Sequence, residues 1–260
     1  MQKRNTTFAY KELTQQLAIM KYLINRRWRG LLVVLLSFLL IGGLWGCHGG
    51  QDKAADEGCE GSGYIVYKLH WHAAGAESVF NTIFPSELKL YFSKPHLRME
   101  MSSMGGIGKA VFLLNTLSGE GNVMVSIVGV RSRYHEVLAD NEQSFLFSNK
   151  RAESVAVPID TIYMGAPCLF TEASLSSAPN DHYRLIYNPN LGWKGINNFS
   201  PFEGIEGAVL CGSFCLGHIS VEMEAKEVVP SCVDPKLFQV DADYKEVSRS
   251  TMEQLLGFGF

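Results

Sequence analysis

The sequence lacks the motifs that mark the common catalytic classes. It contains no Gly-x-Ser-x-Gly elbow, no phosphate-binding glycine loop and no His-Glu-x-x-His helix, so the usual hydrolase, nucleotide-binding and zinc-protease sites are missing. A Ser-x-x-Lys match occurs at Ser86 and Lys89, but the chain enters a predicted strand there, and residues three apart on a strand face opposite sides. We therefore expect a protein that is not an enzyme, with no catalytic residue, no cofactor and no metal.

Basic residues are scarce in most of the chain. Of the 23 Lys and Arg side chains, seven lie in residues 1–46, which leaves 16 basic against 25 acidic side chains in residues 47–260. The net charge of that part is about −9. Nucleic acids and anionic membrane surfaces both attract proteins through basic patches, so this balance excludes nucleic acid as a partner and indicates mainly solubility.

A long apolar run is also missing. After three arginines, residues 31–41 are uncharged, but a glycine pair interrupts the run after about eleven residues, whereas a membrane-spanning helix needs roughly 20. The pattern is typical of a secretion signal, and we assign residues 1–46 to a signal peptide. Met20 and the residues after it form a complete leader by themselves, so we expect translation to start at Met20.

A cysteine ends this run directly after a small residue. Leu44-Trp45-Gly46-Cys47 resembles the lipobox of bacterial lipoproteins, in which the peptidase cleaves before an acylated cysteine. The resemblance predicts cleavage between Gly46 and Cys47 and attachment of acyl chains such as palmitate to Cys47, which would anchor the protein to the bacterial envelope, at the outer membrane. Two alternatives are an uncleaved membrane anchor with an incidental cysteine and a twin-arginine export signal at Arg26 and Arg27.

Five further cysteines lie beyond Cys47, in a compartment that permits disulfides. They are Cys59, Cys168, Cys211, Cys215 and Cys232, and their odd number leaves at least one unpaired, with the pairing itself open. On a strand, Cys211 and Cys215 stand about 13 Å apart, too far for a bond between them. We expect both to be small buried apolar side chains, the alternative being a metal site completed by His218.

Two histidines share one face of a predicted strand. His70 and His72 would chelate a metal only with a third ligand from a neighbouring strand, so we expect them on the solvated face beside Lys68.

Short alternating segments dominate the sequence after a polar stretch. Residues 47–62 are Gly-rich without bulky apolar side chains and are interpreted as a tether, and residues 63–260 as one β-rich domain. Alternation of apolar and polar residues predicts strands at 64–72, 88–92, 96–101 and 219–226, and further candidate strands lie at 111–114, 123–128, 134–138, 184–187 and 208–215. Hairpins are predicted around residues 93–95 and 216–218, with a further turn at 117–121.

Helical patterns are scarce. Residues 76–83 and 251–256 are the two short candidates, the second of them capped by Ser250. The predicted fold is therefore mainly β: a curved antiparallel sheet or open half-barrel with one or two short helices, preceded by the signal-peptide helix. The concave face of such a sheet needs a helix, a loop or a ligand to cover it, and Met99, Met101, Met104, Tyr91, Phe92 and Phe112 are candidates for plain core or for the lining of a lipid pocket.

An ordered series of short phrases resembles a known family. The phrases are Gly63-Tyr64-Ile65-Val66-Tyr67, Phe84-Pro85-Ser86, Met101-Ser102-Ser103-Met104-Gly105-Gly106, Gly165-Ala166-Pro167-Cys168, Asn198-Phe199-Ser200-Pro201-Phe202, Val233-Asp234-Pro235-Lys236-Leu237-Phe238 and Asp243-Tyr244-Lys245-Glu246-Val247. In this order they are similar to a lipoprotein family of Bacteroidota, a domain of unknown function related to the LolA and LolB lipoprotein carriers. The resemblance implies a LolA-like half-barrel whose concave apolar face is able to hold an acyl chain or another apolar ligand, and it assigns no catalytic or binding residue.

Two functions follow as hypotheses. The first is a membrane-anchored envelope lipoprotein that binds an apolar ligand or acyl chain in the concave face of its sheet. The second is a structural or assembly lipoprotein that binds a protein partner in the envelope through its polar face and loops such as residues 188–198. An enzyme without a recognisable motif is the third alternative, and the sequence does not identify the ligand, the partner or the oligomeric state.

Overall fold

One long sheet makes up most of the computed structural model, which describes residues 59–72, 84–102, 108–140, 142–147, 151–176, 178–217 and 219–257. Its strands are β1 Gly63–His72, β2 Glu87–Ser93, β3 His96–Ser102, β4 Gly108–Asn115, β5 Glu120–Ile127, β6 Val130–Val137, β7 Ala152–Ser154, β8 Ile159–Tyr163, β9 Ala166–Leu175, β10 Ala178–Asn188, β11 Ala208–Leu216, β12 Ile219–Pro230 and β13 Lys245–Glu246. Helix α1 (Arg249–Leu255) and two 3₁₀ turns (Phe145–Phe147 and Pro235–Phe238) complete the regular structure of these residues.

The strand order shows that the sheet is open. It runs β13-β6-β5-β4-β3-β2-β1-β12-β11-β10-β9-β7, and β8 pairs with β9 on the same side as β7. Every pair is antiparallel except β13 with β6. Its two ends do not pair with each other within the described ranges, so the predicted mainly β fold with one open, antiparallel-rich sheet is confirmed.

The predicted hairpins form where the alternation placed them. β2 and β3 pair with Phe92 opposite Leu97, and β11 and β12 pair with Leu216 opposite Ile219. On β1, the predicted apolar face is buried (Ile65, Tyr67, Leu69 and Trp71), whereas Lys68 and His72 are exposed. An alternating strand buries one face because successive side chains point to opposite sides of the sheet.

The sheet curves strongly toward one face. β4 and β11 are five strand positions apart, about 24 Å along a flat sheet at roughly 4.8 Å per strand. However, the ring of Phe147 lies 6.2 Å from the ring of Phe112 on β4 and 6.1 Å from the ring of Phe214 on β11. Those two rings are therefore within about 12 Å of each other, which requires that their strands turn their inner faces toward one another.

Several boundaries differ from the sequence-based prediction. Helix α1 begins at Arg249 and its N-cap is Ser248, whose side chain accepts a hydrogen bond from the Thr251 N–H, so the predicted cap at Ser250 was wrong. Val128 lies in the turn after β5 rather than in a strand. The predicted helix at residues 76–83 lies outside the described residues, as does the signal-peptide region.

Candidate apolar site on the concave face

The inner faces of six strands form a continuous apolar surface. β1, β2, β3, β4, β11 and β12 each contribute side chains to it, among them Tyr67, Leu88, Leu97, Phe112, Phe214 and Met223. These side chains share one face because each strand alternates with a period of two. Their burial accounts for the largest hydrophobic cluster of the described chain.

Within the described residues, short segments rather than a second sheet cover this surface. The 3₁₀ turn Phe145–Phe147 inserts Leu146 and Phe147, residues 196–202 insert Ile196, Phe199 and Phe202, and α1 inserts Met252, which is fully buried. Phe147 stands edge-on between Phe112 and Phe214, with interplanar angles of 80° and 75°. Edge-to-face packing of this kind adds about 0.5–1.5 kcal/mol per pair beyond simple burial.

Two small cavities remain beneath the cover. Their volumes are about 70 Å³ and about 50 Å³, and their walls are almost entirely apolar. Both cavities have five wall residues in common: Leu88, Met99, Phe112, Phe147 and Phe214. The cavities therefore adjoin, although each is well below the roughly 300–1,000 Å³ of a typical ligand pocket.

Buried polar atoms fix the cover and the strands in place. The Tyr67 hydroxyl donates a 2.7 Å hydrogen bond to the Val209 carbonyl, and burial raises the pKa of this phenol. The Gln143 side-chain amide donates to the Ser200 carbonyl at 3.0 Å, and the Gly217 N–H donates to the Leu146 carbonyl at 2.9 Å. These bonds join the 3₁₀ turn to residues 196–202 and to the end of β11.

Glu136 is a carboxylate that faces the concave side of β6. Burial raises its pKa, while the Ser144 hydroxyl and the Phe145 N–H, both at the start of the 3₁₀ turn, lower it in part by hydrogen bonding. Its Oε1 atom has no hydrogen-bond partner among the described residues. This carboxylate therefore connects β6 to the 3₁₀ turn of the cover, but its burial removes the water that would otherwise hydrate its charge.

The candidate pocket residues divide between the two faces of the sheet. Met99 and Phe112 line both cavities and Met101 lines the smaller one, whereas Phe92 is plain core. Tyr91 points to the outer face, where it lies beside Tyr64 with the Lys89 ammonium over both rings, so its assignment to the core or pocket was wrong. Met104 lies outside the described residues.

The histidine and cysteine candidates are not brought together. His72 is half exposed and 3.7 Å from Glu222, and no three His, Cys, Asp or Glu side chains converge anywhere in the described chain. Cys211 and Cys215 are buried and form no disulfide, as expected, and the same holds for Cys168. Gly46 and Cys47 lie outside the described residues.

One disulfide joins the beginning of the described chain to the segment after β12. It links Cys59 to Cys232 with a Cα–Cα distance of 5.0 Å across 173 residues. The sequence left this pairing open because nothing in the spacing of five cysteines selects one pair.

A polar cluster on the outer face was missed entirely. The Tyr163 hydroxyl and the Arg184 guanidinium both contact Glu224, and Arg184 Nε donates to Cys211 Sγ at 3.3 Å. Burial, and then the nearby Glu224 charge, raise the pKa of Tyr163 to about 12, and burial raises the pKa of the Cys211 thiol. The end of β8 thus lies over the outer face of β12, where the Tyr163 hydroxyl is also 3.3 Å from the Ala225 carbonyl, a contact that no local pattern encodes.

No family model matches the chain, and a search of the curated proteins finds no match. Across the residues that the structure describes, no helix is both long enough and apolar enough to cross a membrane.

Proposed function

We propose that this chain is an exported envelope lipoprotein, anchored by acyl chains on Cys47, that is not an enzyme and that holds an apolar ligand or a single acyl chain in its concave face. One observation carries the ligand-binding part: two adjoining apolar cavities lie beneath a cover of short segments. The proposed setting agrees with the lipoprotein family of Bacteroidota, related to the LolA and LolB carriers, that the sequence resembles.

The wall between the cavities is made of movable side chains. Met99 is unbranched and adapts to irregular space, and Phe147 belongs to a three-residue turn rather than to the sheet. Rotation of these two side chains would join the cavities into one elongated slot. An extended acyl chain suits such a slot because it needs little width and no hydrogen-bond partner, but at about 70 Å³ and about 50 Å³ the cavities admit one only if the cover also moves outward.

Charge and disulfide chemistry support export. Residues 47–260 are acidic, which favours solubility outside the membrane, and disulfides persist in oxidising compartments such as the bacterial periplasm. Because the Cys59–Cys232 disulfide lies near Cys47 in sequence, it would fix the point at which the anchor joins the domain.

The test measures lipid bound to the full-length protein purified from membranes. Solvent extraction removes non-covalent lipid but leaves the acyl chains on Cys47, so the ratio of extracted lipid to protein reports the concave site. Leu114 lines the larger cavity, whereas Leu113, the next residue on β4, packs on the opposite face against Val240 and Tyr244. Leu114→Phe narrows the cavity, and Leu113→Phe is the matched control.

We expect about one molecule of extracted lipid per chain in the wild type and in the Leu113→Phe variant. The Leu114→Phe variant should contain at least fivefold less lipid than the wild type. Each substitution adds atoms to a packed region at a cost of about 1–3 kcal/mol, so both variants experience similar strain. An empty wild-type protein, or equal lipid in both variants, would reject the proposal.

A second candidate function, a structural or assembly role through a protein partner, is favoured by one exposed apolar turn. Ile127, Val128 and Val130 lie at the end of the β5–β6 hairpin, and Val128 is 78% exposed. Exposed apolar residues clustered at a hairpin end are typical of contact sites. Cross-linking in cells from a photoreactive residue at position 130 tests this role, and recovery of no partner above background would exclude it.

A further inference from the structure

A ten-residue segment concentrates half of the large apolar side chains that are exposed in the described chain. They are Val155, Val157, Ile159, Ile162 and Met164, and Val157 and Ile162 are 85% and 78% exposed. The segment includes all of β8, which among the described strands pairs with β9 alone. Apolar side chains on both faces of an edge strand are a common feature of strand-to-strand association.

The turn after β8 determines which backbone groups reach the free edge. Met164 and Gly165 have φ of 52° and 78°, the geometry of a two-residue type I′ turn, so Tyr163 and Ala166 form the hydrogen-bonded pair that closes the hairpin. Pairs alternate along an antiparallel ladder, which directs the N–H and C=O groups of Asp160 and Ile162 away from β9. Within the described ranges, no other strand pairs with these four groups.

This edge is complementary to itself. If a second copy of β8 lies antiparallel across a two-fold axis at Thr161, Asp160 of each copy pairs with Ile162 of the other, and four backbone hydrogen bonds form. Ile159 then lies opposite Tyr163, and no two like charges are directly opposed, since Asp160 is the one charged residue of segment 155–164. The two-fold arrangement closes as a dimer and does not propagate into a fibre.

The limits of the edge favour a second copy over an unrelated strand. Pro158 precedes β8 and the type I′ turn follows it, so a longer partner strand would gain no further ladder bonds. A second copy brings an edge of the same five-residue length, and every exposed apolar side chain then contributes twice. We propose that two copies of this chain associate through β8, an inference that goes beyond the proposed function and does not depend on the anchor or on a bound ligand.

Cysteine cross-linking of the full-length chain in cells tests the pairing. At the two-fold axis the two Thr161 Cα atoms would be about 4.5 Å apart, within the roughly 4.4–6.8 Å that a disulfide bridges. Thr161→Cys is made together with Cys168→Ala, because Cys168 is the residue opposite Thr161 on β9. Val157→Cys in the same background is the control, since position 157 is more exposed but would lie roughly 26 Å from its copy.

With copper phenanthroline as oxidant, the Thr161→Cys chain should give a covalent dimer of twice the monomer mass, which reductant converts back to monomer. This dimer should be at least tenfold more abundant than the dimer of the Val157→Cys chain. Ile162→Asp places like charges opposite Asp160 and should reduce the Thr161→Cys dimer at least threefold, whereas Ile162→Lys should preserve it. Equal dimer from both cysteine positions, no dimer, or a product with another protein would overturn the inference. Because the readout is cross-linking rather than lipid content, its failure is distinct from failure of the proposed function.

Discussion

At the scale of single residues, the β5–β6 turn holds a valine in a backbone conformation that suits asparagine or glycine. Val128 has φ of 49° and Gly129 has φ of 82°, the type I′ combination. A β-branched residue is strained there because its Cβ crowds the adjacent carbonyl. An exposed residue kept at such a position is a candidate for contact with a partner, which agrees with the second candidate function.

Val128→Asn should therefore stabilise the protein by about 1 kcal/mol, because asparagine adopts positive φ at lower cost. Equilibrium urea unfolding measures the change. Val130→Asn is the control: Val130 is also exposed, but it has ordinary strand geometry, so no gain is expected. A loss of stability in Val128→Asn would mean that the valine side chain is used within the fold itself.

Glu136 makes stability depend on pH. Burial holds its pKa above the ordinary value of 4.5, so the folded state binds this proton more tightly than the unfolded state. The stabilising contribution of the neutral form is fully present below the unfolded pKa and is lost as pH rises through the folded pKa. The groups that favour ionisation, Ser144, the Phe145 N–H, Arg249 and His135, reduce this effect without reversing it.

Glu136→Gln should remove that pH dependence and stabilise the protein at neutral pH by on the order of 1 kcal/mol, since an amide needs no charge in this site. Urea unfolding of both proteins from about pH 4 to pH 7 measures it. Glu120→Gln, at an exposed position at the start of β5, should leave the pH profile unchanged. A Glu136→Gln profile as steep as the wild-type profile would contradict the assignment.

At the scale of elements, the sequence predicted β1 to β6 and β10 to β12, whose patterns are local, and missed β7, β8, β9 and β13. β1 and β12 alternate between core and solvent, so their sequences carry the period of two. β4 and β11 were predicted from short apolar runs, and most residues of these runs are buried, on both faces of the sheet. β9 contains a proline and shows no such period, and β8 exposes apolar residues on both faces. β13 joins β6 through two residues whose pairing is long-range.

The candidate site was predictable only in part for the same reason. The sequence identified the apolar faces that contain Met99, Met101 and Phe112, because those faces are local patterns. It did not identify Phe147 as the side chain between Phe112 and Phe214, since that contact joins a turn to strands distant in sequence. Nor did it predict that β1 lies beside β12, which brings the early and late strands together.

The N-cap residue of α1 allows a test of where this helix begins. Ser248 accepts a hydrogen bond from the Thr251 N–H, whereas Ser250 lies within the helix. Ser248→Ala should cost about 1 kcal/mol because one N-terminal amide loses its partner. Ser250→Ala should cost less than half as much, and thermal unfolding compares the two. Equal losses would contradict the cap assignment.

At the scale of the whole molecule, the Cys59–Cys232 disulfide joins the segment before β1 to the segment after β12, just beyond the end of the ladder between these two strands. Replacing both cysteines by serine should cost about 2–5 kcal/mol, chiefly because the unfolded chain is no longer closed into a loop of 173 residues. Thermal unfolding with and without reductant measures it: reductant should lower the wild-type Tm to that of the double variant and leave the variant unchanged. Identical Tm values for the wild type and the double variant in the absence of reductant would contradict a structural disulfide.

The anchor is the last whole-molecule property to be tested. Each buried methylene of an acyl chain contributes about 0.8 kcal/mol, so two or three chains on Cys47 hold a protein on a membrane almost irreversibly. The net negative charge of residues 47–260 does not favour binding to an anionic membrane surface. Cys47→Ala should therefore block cleavage after Gly46 and prevent acylation of the chain. Radiolabelled palmitate in cells measures acylation, the apparent mass of the chain on a gel measures cleavage, and fractionation of the cells shows whether the chain stays with membranes.

Cys168→Ala is the matched control, because it removes a buried thiol from the domain and leaves the lipobox intact. Labelled palmitate should be lost only in the Cys47→Ala chain. A Cys47→Ala chain that is still cut at the same bond and stays with membranes after alkaline washing would show that another feature anchors the protein.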